Sequence, residues 1–230
     1  MSMGGEAWGM MHPSLRSILN ATGCDTYYSP QKYWDRDVAD AYFKDKLAFG
    51  MLRDPYDRLA NTFRNQVQGI SSLYKYTTRQ DVSKREHDKD RNSAKYKEFY
   101  DTCDVNGWLQ SELAKYKAGD VFRSNCILLP QSEFFDDPHG IIAPIDNRRF
   151  PESFNELMEA HGYPIRATNT TVHNYMCNSV TSASLNKKSK ELIKEVYARD
   201  FELVCEHFGY CNKDELTCLH QLPQMCGMGS

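Results

Sequence analysis

Asp54-Pro55 divides the stretch from Leu47 to Phe63 into two parts that cannot share one secondary structure. Proline lacks an amide hydrogen and has a fixed φ, so it is tolerated at a first helical position and breaks a strand or a helix interior. Before it, Leu47, Ala48, Phe49, Met51 and Leu52 form a short apolar run, a length that suits a buried strand. After it, Tyr56, Leu59, Ala60, Phe63 and Val67 recur at spacings of three and four, which is one apolar helix face. Asp54 has the short acceptor side chain of a helix N-cap, and Asp57 adds negative charge to the first turn. The expectation is strand, sharp turn, helix ending near Gly69, with Arg53 on the turn. A helix N-terminus beside an arginine fork suits a phosphate, and Asn61, about two turns along, can reach the same anion. The structural alternative is an arginine paired with Asp54 or Asp57 that closes the turn.

The same pattern recurs along the chain. A short helix is expected over Asp35–Phe43, a helix over Val105–Tyr116, and a strand within Phe122–Leu129 or Cys126–Leu129. Asp136 to Gly140 reads as a turn, and Pro151–His161 as a helix closed by Gly162. Ile193, Val196, Tyr197, Phe201, Val204 and Phe208 give one last helix an apolar stripe. Strands interleaved with helices predict an α/β fold with a parallel sheet flanked by helices, where ligands bind at the carboxyl ends of strands. One domain over 1–230 is expected, with 70–98 a polar insertion and 211–230 a Cys-rich tail.

The run Arg53-Asp54-Pro55-Tyr56-Asp57-Arg58-Leu59 resembles the "RDP-x-x-RL-x-S" element of sulfotransferases that use 3′-phosphoadenosine-5′-phosphosulfate (PAPS), of the Golgi carbohydrate type that acts on heparan or chondroitin. Three later stretches resemble that family in the same order: Asn125–Phe134 with its Pro130-Gln131, Ile141–Ile145 followed by Phe150–Leu157, and Glu191–Leu203 ending near Tyr210. The resemblance implies a P-loop-kinase-like sheet. It also implies a 3′-phosphate site at Arg53, with Asn61 where the family has serine, and PAPS as co-substrate without a metal. It implies transfer of a sulfuryl group to a hydroxyl or amine, of a carbohydrate or a small molecule. The family's N-terminal strand and its phosphate-loop lysine are not in the sequence, and Met10 to His12 stand where the lysine is expected. Ser14-Leu15-Arg16 resembles the end of that loop, which makes Ser14 a second donor-binding candidate and His12 the candidate base. Either the chain is trimmed or half of the donor site is lost. The alternative function is an inactive sulfotransferase-like module that binds a nucleotide or a glycan. Lys187 and Lys188 are further candidates for donor phosphate, and His173 for the site.

Composition narrows the setting. With 26% charged residues and a net charge of −3, the chain lacks the basic surface of a nucleic-acid binder. No apolar run reaches transmembrane length, whereas Golgi sulfotransferases carry a membrane anchor, which fits a trimmed catalytic domain and a soluble relative equally well. Eight cysteines without a CxxC pair favour disulfides over zinc, most of all among Cys205, Cys211, Cys218 and Cys226. With the sequons at Asn20 and Asn169 they point to the secretory pathway and, through the resemblance, to the Golgi lumen, the alternative being free thiols in a cytoplasmic protein.

Overall fold

The computed structural model describes Thr22, Cys24 and residues 30–67, 94–168 and 177–214. The architecture is α/β. Two strands, β1 (Phe49–Leu52) and β2 (Ala143–Asp146), pair as a parallel sheet. The helices are α1 (Arg36–Phe43), α2 (Pro55–Val67), α3 (Ala94–Asp101), α4 (Val105–Lys117), α5 (Ser132–Phe135), α6 (Glu152–Ala160), α7 (Lys187–Val196) and α8 (Ala198–Phe208). The chain divides into two compact units, Met1–Met51 with Lys115–Pro144 and Leu52–Ala114 with Ile145–Ser230.

In the first unit Cys24, Cys126 and Leu129 form a buried cluster, with Tyr116 and Phe122 packed against it. The Cys24–Cys126 disulfide ties it together. The strand expected within Phe122–Leu129 is absent. Ser124–Cys126 is a 3-10 turn, and Ser124 and Cys126 take positive φ values of 53° and 64°. Such backbone cannot extend into a ladder. The apolar run is real, since Leu128 and Leu129 are buried, but a turn buries them. Asp136 to Gly140 forms the expected turn: Gly140 N–H donates to Asp137 O at 2.7 Å and His139 N–H to Asp137 Oδ1 at 2.9 Å. A Cβ on Gly140 would lie 2.2 Å from Phe135 O, so only glycine fits there. Beyond it the N–H groups of Ile142 and Ala143 donate to Ala48 O at 3.1 and 3.2 Å, the entry to the parallel pairing.

In the second unit α2 buries Tyr56, Leu59, Ala60 and Phe63, the stripe expected of it. Phe63 meets Trp108 of α4 at 5.4 Å between ring centroids, and Tyr56 meets Phe201 of α8 edge-on at 5.1 Å. The stripe of the last helix is also present, with Ile193, Tyr197, Phe201 and Val204 buried. It runs over two helices rather than one. Tyr197 leaves helical geometry (φ −110°, ψ 29°) between α7 and α8. Its ring is fully buried, with the Arg58 guanidinium 5.6 Å from the centroid. Below that ring Arg58 pairs with the buried Asp200, Nη1 to Oδ2 at 3.6 Å. Disulfides Cys103–Cys177 and Cys205–Cys211 close this unit.

Candidate anion site

The turn between β1 and α2 is built by Asp54. Its Oδ1 accepts the N–H groups of Tyr56 at 2.9 Å and Asp57 at 3.1 Å, while its own carbonyl takes Arg58 N–H at 2.9 Å. That is an N-cap with Pro55 at the first helical position, as the sequence requires. The geometry puts Arg53 at the carboxyl end of β1, directly ahead of the helix N-terminus.

Arg53 is held at two points. Its Nη2 donates to Asn147 Oδ1 at 2.7 Å, and its Nε lies 3.3 Å from Asp57 Oδ2. The pairing with Asp57 is the structural alternative anticipated for this arginine, and it is present. The side chain still exposes a quarter of its surface. Asn147 is buried and opens the 3-10 turn Asn147–Arg149 that follows β2. The carboxyl ends of both strands therefore supply residues to one spot, where ligands bind in open α/β sheets.

Asp57 is the most deeply buried acid of the group, 1% exposed. Its Oδ1 has no hydrogen-bond partner. Burial pushes its carboxyl above the usual range, and the nearby Arg53, Arg64 and Arg148 pull it the other way without cancelling the shift. One further turn along α2, Asn61 accepts from Arg64 Nη2 at 3.1 Å through Oδ1, and Arg64 Nη1 donates to Val180 O at 3.1 Å. The candidate Asn61 thus gives its side-chain carbonyl to Arg64, whereas an anion would be met by its Nδ2 amide.

Sequence reasoning passed over the turn after β2. Asp146 Oδ1 accepts Arg148 N–H at 2.8 Å, and Asp146 Oδ2 accepts the Tyr210 hydroxyl at 2.8 Å. The Arg148 guanidinium sits 3.9 Å over the Tyr210 ring. Two adjacent arginines on a strand-to-helix turn were the available signal, but nothing one-dimensional links them to Arg53, 94 residues away.

The candidates His12, Ser14 and His173 lie outside the described residues. Lys187 and Lys188 are exposed on the first turn of α7, beside a shallow groove of about 810 Å³ that Glu191, Leu192, Lys194 and Glu195 also line. Among the described residues no group of three or more His, Cys, Asp or Glu is placed to hold a metal. Chemically, the Arg53 turn brings guanidinium charge and partial shelter from water to an anion, while the N–H groups of Tyr56, Asp57 and Arg58 at the helix start are taken by Asp54. No family model matches the chain, no curated protein matches its sequence, and no solved structure matches its fold.

Proposed function

We propose that the chain is a PAPS-dependent sulfotransferase that moves a sulfuryl group to a hydroxyl or amine, with a carbohydrate as the acceptor class. The observation that carries this reading is Arg53, on an Asp54-capped strand-to-helix turn at the carboxyl end of a parallel strand. In the resembling family this arginine takes the 3′-phosphate of the donor, in a P-loop-kinase-like sheet. The α/β architecture, with its parallel strand pair, is compatible with such a sheet. Sulfuryl transfer is an in-line displacement in which charge moves onto the leaving phosphate, so positioned cations do most of the work, as in phosphoryl transfer. Three disulfides among the described residues fit a secreted or lumenal protein, and the Golgi lumen is the compartment this reading assigns.

A second reading, an inactive nucleotide- or glycan-binding module, is favoured by a different observation. Two of the Arg53 nitrogens are already engaged, by Asp57 and Asn147. The two readings separate in one experiment: release of 3′-phosphoadenosine-5′-phosphate (PAP) from PAPS, with desulfated heparan and chondroitin as acceptors, for the wild type and Arg53→Ala. Acceptor-dependent release that falls about tenfold to a hundredfold in Arg53→Ala, the loss of one charge-assisted contact, supports the enzyme. PAP binding by calorimetry without release supports the module. A folded chain that binds neither PAPS nor PAP nor the desulfated glycans overturns both.

A further inference from the structure

We propose that Arg148 is a second anion-gripping arginine beside Arg53, so that this site grips a terminal phosphate from two sides. The inference rests on the nucleotide-binding reading of the Arg53 turn and extends it to a residue on a different element.

The argument concerns unspent donors. An arginine carries five N–H donors in a rigid fork, and a partly buried one normally spends them. Arg148 makes no hydrogen bond or ion pair through its guanidinium among the described residues, and its Nε is buried without a partner. The group is nonetheless held in place. Its backbone N–H is fixed by Asp146, its guanidinium is stacked at 3.9 Å on Tyr210, and Tyr210 is anchored to the same Asp146. Stacking leaves the in-plane donors of the fork available, which is how arginine combines a fixed position with phosphate recognition.

Its neighbours give that fork a direction. Asn147, the preceding residue, receives Arg53 Nη2, so the two arginines are joined through one buried asparagine. Arg148 acts electrostatically on Asp57, the acid that also pairs with Arg53 Nε. Asp57 Oδ1 is a buried oxygen without a partner, an atom that would accept from a ligand hydroxyl or a protonated phosphate oxygen. Asp54, Asp57 and Asp146 roughly balance the charge of Arg53, Arg64 and Arg148, so the site does not depend on surplus charge. What distinguishes it is donors: Asp54 and Asp146 accept from backbone N–H groups and Tyr210, while the fork of Arg148 has no acceptor. A phosphate supplies several acceptor oxygens at once and suits this arrangement better than a carboxylate.

Calorimetric titration of the full chain with PAP, with 5′-AMP (which lacks the 3′-phosphate) and with inorganic sulfate tests the proposal. The variants are Arg148→Ala, Arg148→Lys and, as an exposed control on α1, Arg36→Ala. The expected result is that Arg148→Ala weakens PAP about tenfold to a hundredfold, the scale of a lost charged hydrogen bond. Arg148→Lys recovers part of the loss, and 5′-AMP binds equally to all. A structural role for Arg148 would weaken both nucleotides together and would overturn the proposal, as would unchanged PAP affinity in Arg148→Ala. If the wild type does not bind PAP, the donor reading fails. The clamp is then judged on sulfate alone: binding lost in Arg148→Ala sustains it, and equal or absent binding ends it.

Discussion

Tyr56 shows how one side chain at the site's edge sets a pH limit on the fold. It is fully buried, and its hydroxyl donates to Lys213 O at 2.8 Å. Burial pushes its phenol up to about 12. An unfolded tyrosine titrates near about 10. Above that value the unfolded chain releases a proton that the folded chain keeps, so alkali favours unfolding. The contribution is complete below about pH 10 and disappears as pH rises toward about 12. Tyr56→Phe is expected to cost about 1 kcal/mol at neutral pH, for the lost hydrogen bond, and to flatten the alkaline decline. Urea unfolding of both proteins on each side of pH ~10 reads this; parallel pH curves would contradict it. At the same scale, Arg53 was legible because the Asp54-Pro55 rule is local. Its partner Asn147 and neighbour Arg148 were not, because the contact is made by folding rather than by adjacency.

Among the elements, α2 depends most on its first turn. Asp54 satisfies two backbone N–H groups that the helix cannot pair for itself. Asp54→Ala is expected to cost about 1 kcal/mol, within a range of about 0.5–2, and Asp54→Asn much less. Chemical denaturation of the two variants is the check, and equal losses would mean that the cap is not what holds the turn. The helices were readable from the sequence wherever a stripe at spacings of three and four ended on a chemical signal, as at Pro55 or Gly162. Two stretches without such a signal were misread. Ile127 to Leu129 look like a strand, yet the Cys24–Cys126 bond pins them in a turn, and cysteine pairing is invisible to periodicity. The break at Tyr197 was hidden because the apolar spacing carries across it: Ile193, Tyr197 and Phe201 remain four apart and buried on both sides.

At the scale of the whole molecule the disulfides are unequal. Cys103–Cys177 spans 74 residues and Cys205–Cys211 only 6. In the loop-entropy account the first constrains the unfolded chain by roughly 4 kcal/mol and the second by about 2. Replacing Cys103 and Cys177 together by serine is therefore expected to lower unfolding free energy about twice as much as replacing Cys205 and Cys211. Guanidinium unfolding of both double variants measures the ratio, and a larger loss from the short loop would refute the ranking. The C-terminal cysteines were expected to pair among themselves. Cys205–Cys211 fits that, while Cys218 and Cys226 lie outside the described residues. The other two bonds reach across the sequence in a way that spacing alone does not specify.

The short bridge has a practical consequence out of proportion to its energy. Tyr210 lies inside the Cys205–Cys211 loop, which Gly209 turns in a left-handed conformation (φ 75°), and that tyrosine carries both the hydroxyl that Asp146 receives and the ring under Arg148. Replacing Cys205 and Cys211 by serine would cut the tether next to that ring while leaving the two long-range bridges in place. A preparation lacking only that bridge would run normally on a gel-filtration column while its Arg148 loses the ring that holds it in place.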